Sequence, residues 1–136
     1  MTTMAAMLAT YVDAFNRGDA ETYAGFYAAD VILRNGGGTE LRGRDAIVEF
    51  YTAVSQRLAR TMRIRGTCEG DRSLAAALAS TFTALVDDVP LGGEVLNKGD
   101  QLELESIALY EFTDGKFGRI EATTLKRTLL RRGAAA

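Results

Sequence analysis

Three tyrosines stand where an apolar wall would present a hydroxyl. Tyr11 falls on a stripe with Met4, Met7, Leu8 and Phe15, which recur at three- and four-residue steps. Tyr27 follows Tyr23 and Phe26 on the inner side of a second apolar segment, and Tyr51 lies with Ile47, Phe50 and Val54 on a third. A phenol set among hydrocarbon donates a hydrogen bond to a ligand oxygen, or it is a core aromatic whose hydroxyl finds an ordinary partner. Both readings are open on spacing alone. The chain has no histidine, so imidazole plays no part in acid/base, nucleophilic or metal chemistry here. Cys68 is the single cysteine, which rules out an intrachain disulfide, and it is expected as a buried thiol of a reducing compartment.

The charged residues offer less. Asp87-Asp88 and Glu94 lie in a stretch with Pro90, Gly92, Gly93 and Gly99, and read as solvated loop charges near a hairpin tip. Two adjacent carboxylates make a poor metal site without further ligands, so neither metal nor cofactor is expected. Gly36-Gly37-Gly38 lacks the lysine and hydroxyl of a phosphate-cradling loop and reads as a turn. Arg34 is expected to pair with Glu40 across that turn. Arg63 and Arg65 share one strand face and are expected to meet solvent, Glu103 or Glu105.

A length of 136 residues with 47% hydrophobic content suits one domain with a real core. We place it at residues 1–130, with 131–136 as a frayed tail. The net charge of −2, with both signs mixed along the chain, gives no footprint for nucleic acid or an anionic membrane. The apolar start lacks the basic flank of a secretion signal, and no apolar run reaches the ~20 residues of a membrane span. A cytoplasmic protein is the expectation.

The elements that must position these residues follow from periodicity. Helical patterns cover Thr3 to Phe15, Ala20 to Tyr27 and Ala46 to Leu58, with Asp19 and Asp45 at helix starts. Short strands at 31–34 and 39–42 flank the glycine turn. Alternating patterns at 61–69, 74–86, 101–112 and 117–126 predict long strands, and 87–100 is a long hairpin tip. In the strand from Gln101, the uncharged set Leu102, Leu104, Ser106, Ala108, Tyr110 and Phe112 should face inward. The opposite set mixes Glu103, Glu105 and Glu111 with Ile107 and Leu109, as a homodimer interface would. The result is an α+β fold with three N-terminal helices packed on a curved antiparallel sheet.

Several stretches carry a family resemblance. Tyr11-Val12-Asp13-Ala14-Phe15-Asn16-Arg17-Gly18-Asp19, Phe26-Tyr27-Ala28-Ala29-Asp30-Val31, Gly43-Arg44-Asp45-Ala46-Ile47 with Phe50-Tyr51, and Phe112-Thr113-Asp114-Gly115-Lys116-Phe117 occur in order from Thr3 to Lys126. Together they resemble the NTF2-like superfamily, and within it the ketosteroid isomerases and SnoaL-like polyketide cyclases. The resemblance implies a cone-shaped fold, a homodimer, and an apolar ligand held in the cone. It implies that Tyr11 is the oxyanion donor, supported by Tyr27 and Tyr51, and that Asn35 occupies the position of the isomerase base. An amide hydrogen-bonds but is no base near neutral pH, so Asn35 becomes a positioning group. Ala108 falls where the isomerases carry a protonated aspartic acid, and Ala122 where the cyclases carry their aspartate, with Glu121 one residue away.

Phe82, Leu104, Ala108 and Ile120, with Ala76 and Leu78, are the expected ligand-contacting wall. The functional expectation is binding of a small apolar, carbonyl-bearing molecule. An isomerase, cyclase or dehydratase-like lyase without the usual aspartate base is one form of it. The alternative is a non-catalytic ligand-binding or dimeric interaction domain.

Overall fold

The computed structural model describes residues 3–133. The first helix, α1, spans Met4–Asn16, and Thr3 caps it by accepting a hydrogen bond from the Ala6 N–H at 3.0 Å. A short α2 covers Ala20–Ala24 behind the Asp19 cap. Strand β1 runs Tyr27–Arg34, β2 Glu40–Arg42, and α3 Arg44–Ser55. Four long strands follow: β3 (Leu58–Glu69), β4 (Ser73–Ala84), then β7 (Gln101–Thr113) and β8 (Lys116–Leu130). Between β4 and β7 the tip folds into its own small hairpin, β5 (Val89–Leu91) with β6 (Glu94–Leu96).

The main sheet has the order β2-β1-β8-β7-β4-β3. It is antiparallel except at one place, where β1 lies parallel to β8. The helices pack against its concave side, the α+β arrangement expected from the sequence, with no closed barrel. Strand alternation assigns the faces as expected. Leu74, Ala76, Leu78, Ser80, Phe82 and Ala84 of β4 are buried inward, while Ile107 and Leu109 of β7 lie on the other face, 39% and 38% exposed.

Several expectations are corrected. The second helix stops at Ala24, and Tyr27 opens a strand instead, because it pairs with Phe117 of β8. The register slips immediately afterwards, and the Arg44 guanidinium donates to the Tyr27 carbonyl at 2.7 and 3.2 Å. The third helix ends at Ser55, so Leu58 belongs to β3. Cys68 is exposed near the end of β3, not buried as expected. Within the expected tail, Arg131 and Arg132 both bind the Asp100 carboxylate, through Nη1 at 2.9 Å and the backbone N–H at 2.8 Å. The rest of the expected tail, 134–136, lies outside the described residues. No helix among the described residues is long and apolar enough to cross a membrane.

Candidate functional site

The core is split. One cluster gathers Leu8, Tyr11, Tyr23, Tyr27, Ile47 and Phe117 under the helices, and another joins Leu58, Phe82, Val89, Leu96 and Leu102 toward the tip hairpin. Between them lies a cavity of about 380 Å³. Ile47 near the start of α3 belongs to the core, whereas Phe50, Tyr51 and Val54 further along the helix line this space and are only half-buried. Val89, Pro90, Leu91 and Gly92 of the tip hairpin form part of the wall, so the hairpin helps to enclose the cavity.

Tyr11 reaches this wall from α1 and is 3% exposed. Its ring is held edge-on by Phe117 (centroids 5.0 Å apart), Tyr27 (5.7 Å) and Phe26 (5.9 Å). Its hydroxyl lies 2.6 Å from that of Tyr27. Tyr27 is fully buried and does not line the cavity, so it stands behind Tyr11. Tyr51 lines the wall but is not the hydroxyl partner of Tyr11. Burial pushes the Tyr11 phenol well above its ordinary range, with Tyr27 and Tyr110 adding to the effect. Burial also raises Tyr27 and Tyr110. All three are therefore neutral donors near pH 7.

Asn35 sits at the rim and lines the cavity, but its side chain holds a turn. Its Oδ1 accepts from the Gly37 N–H at 3.0 Å and the Thr39 N–H at 3.1 Å. Of the expected wall, Leu78, Phe82, Leu104, Ala108 and Ile120 line the cavity and Ala76 does not. Ala122 lines it too. Glu121 is absent from the wall and binds Arg119, its Oε1 accepting from Nε at 2.8 Å. Asn35, Ala108 and Ala122, the positions where the resemblance implied acids, thus all line the cavity, and none carries a carboxylate.

No Asp or Glu lines the cavity among the described residues, whereas Arg34, Arg57, Arg60 and Arg127 do. The expected Arg34–Glu40 pair does not form, because Glu40 binds Arg42 at 3.1 Å. Arg65 does meet Glu105, at 2.8 Å across β4 on the outer face. Asp87 and Glu94 stay outside the cavity, where Asp87 accepts from the Lys98 N–H and Glu94 lies 3.8 Å from Arg131.

Arg60 was not singled out from the sequence. It shares strand parity with Leu58 and Met62, which marks it as inward-facing once the true start of β3 is known. Arg127 is brought inward by a bulge: Ser106 pairs with Thr124 but Glu105 with Lys126, so Leu125 is extra and bulges out, 64% exposed. Asn16 fixes β3 two residues beyond Arg60, since its amide both donates to the Met62 carbonyl and accepts from the Met62 N–H, each at 2.8 Å.

A SnoaL-like domain model matches residues 8–120. The chain belongs to the SnoaL-like domain family. No curated protein matches significantly. Among solved structures, a SnoaL-like polyketide cyclase from Agrobacterium tumefaciens superposes with a TM-score of 0.75 at 16% identity, covering 93% of this chain and 94% of its own. An NTF2-like protein of unknown function from Burkholderia pseudomallei gives 0.74 at 17% identity, with 92% of each chain covered. An epoxide hydrolase of Mycobacterium tuberculosis resembling limonene epoxide hydrolase gives 0.70 at 11% identity, over 87% of this chain and 79% of that one. At these identities the structural likeness establishes the fold of this SnoaL-like domain and nothing finer.

Proposed function

We propose that this SnoaL-like domain binds a small, mainly apolar molecule whose carbonyl oxygen accepts a hydrogen bond from Tyr11. The observation that carries this reading is the buried Tyr11–Tyr27 hydroxyl pair, 2.6 Å apart, with Tyr11 ending on the cavity wall. When Tyr27 donates to Tyr11, the Tyr11 proton is left for the cavity. Linked hydroxyls polarise one another, which strengthens the terminal donor. Phe15, Phe82, Leu104 and Ile120 supply the apolar contact around it.

Proton abstraction from carbon needs a base, and the lining residues supply none that is unprotonated near pH 7. Binding with carbonyl polarisation is therefore favoured over isomerase-type proton transfer. A second reading is intramolecular aldol closure: a 1,3-dicarbonyl carbon loses its proton to water, the enolate attacks a second carbonyl carbon of the same molecule, and water returns a proton to the alkoxide. The arginine-rich, acid-free wall favours it, because that wall stabilises developing negative charge.

Two copies are proposed to associate through the outer face of the sheet, where Ile107, Leu109 and Leu125 are exposed beside the small residues of β4. Native mass spectrometry of freshly purified protein tests the binding reading. A retained compound of carbonyl chemistry at one per chain supports it. A ligand-free protein that also ignores a panel of bicyclic ketones at millimolar concentration contradicts it.

A further inference from the structure

Arg60 stands at an inward position of β3, between the buried Leu58 and Met62. A charge placed there costs free energy unless it is paired and hydrogen-bonded. No carboxylate among the described residues lies within ion-pair distance of it. The head group is nonetheless held in place. Its Cζ lies 4.9 Å from the Phe82 ring centre, 5.4 Å from Phe15 and 5.9 Å from Tyr51. Those aromatic faces offset part of the burial cost but accept none of the five guanidinium N–H bonds in plane. Nη2 reaches Ser80 Oγ only at 3.4 Å, and Nε is buried with no partner at all.

The missing component is an acceptor carrying negative charge, and Arg60 lines the cavity that could deliver one. Arg34, Arg57 and Arg127 on the same wall raise the local positive potential. Tyr110, also on the wall, stays a neutral donor through burial even with the guanidinium charge acting against it. We propose that Arg60 is an anion anchor and that the cavity takes an apolar carboxylic acid, its carboxylate on the Arg60 guanidinium and its carbon skeleton against Phe15 and Phe82. A guanidinium matches a carboxylate in charge and fork geometry, which an uncharged amide does not reproduce. The proposal rests on the cavity being a ligand site and narrows the class of ligand.

The test is titration calorimetry with 2-naphthoate, 9-anthroate and dodecanoate, each beside its carboxamide. The unaltered protein should bind at least one acid about tenfold or more tighter than its amide. Arg60→Met keeps the stem and removes the charge. It should abolish that preference, lowering acid affinity about tenfold or more relative to amide affinity, and Arg60→Lys should restore part of it. If Arg60→Met fails to fold, the acid/amide ratio of the unaltered protein and of Arg60→Lys decides. Equal affinity for acid and amide overturns the anion anchor while leaving the cavity a ligand site. A preference that survives in Arg60→Met overturns it as well. Failure of every acid and every amide to bind overturns both the anchor and the reading beneath it.

Discussion

The hydroxyls of Tyr11 and Tyr27 lie 2.6 Å apart, yet Tyr11 lines the cavity and Tyr27 does not. This asymmetry makes the two deletions unequal. Tyr11→Phe strands the Tyr27 hydroxyl in a fully buried position, which costs about 1–3 kcal/mol of stability. Tyr27→Phe leaves the Tyr11 hydroxyl without that partner on a residue that lines the cavity, and should cost less. The double variant should be more stable than the sum of the two losses, since no buried phenol is then left alone. Denaturant unfolding of the three variants checks the order; equal single losses that simply add would contradict it.

Asn35 acts through its turn. Asn35→Ala removes the acceptor for the Gly37 and Thr39 N–H groups and should cost about 1 kcal/mol for the weakened turn. Asn35→Asp keeps both bonds. Two backbone donors favour the ionised form, so the new carboxylate should have a lowered pKa and make a weak base. Exchange of α-protons in a β,γ-unsaturated ketone should therefore stay at the background rate in Asn35→Asp. A rate well above background would show that the carboxylate enters the cavity as a base.

Asp100 gives the structure a pH limit. Its carboxyl is held at about 2, below its ordinary 3.8, by the Arg132 and Asn97 backbone N–H groups and the Arg131 side chain. A depressed carboxyl contributes stability that is complete above its unfolded value. That contribution is lost as pH falls from about 4 toward about 2. Thermal unfolding should show a steeper acid loss in the unaltered protein than in Asp100→Asn, which should already be weakened at pH 7. Parallel pH profiles would contradict this role for Asp100.

The outer face of the sheet is expected to hold two copies together. Replacing Ile107 and Leu109 with glutamate adds charge beside Glu105 and Glu111 and should shift a dimer to monomer with the fold intact. Sedimentation velocity at micromolar concentration checks it; a monomer before any substitution would contradict the proposed association.

Local pattern carried much of this fold and site. The α1 stripe put Tyr11 on an inner face, and the alternation of Leu102, Leu104, Ala108 and Tyr110 marked the concave wall. What escaped depended on contacts distant in sequence. Tyr27 follows an apolar helical run, and only its pairing with Phe117 makes it a strand residue. Arg60 hid because the apolar steps from Val54 to Leu58 extend a helix pattern past its real end at Ser55, which left Arg60 between elements. Arg127 turns inward because of the bulge at Leu125, and simple alternation cannot show such a slip.

The role of Tyr11 is tested most directly by the affinity of 2-acetylnaphthalene for the unaltered protein and for Tyr11→Phe, with 2-ethylnaphthalene as the control lacking oxygen. The substitution keeps the ring and removes only the donor. Ketone binding should weaken by about 1–3 kcal/mol while hydrocarbon binding holds. Equal ketone affinity in the two proteins, with the ketone shown to occupy the cavity, would contradict the assignment of Tyr11 as the donor to a ligand carbonyl.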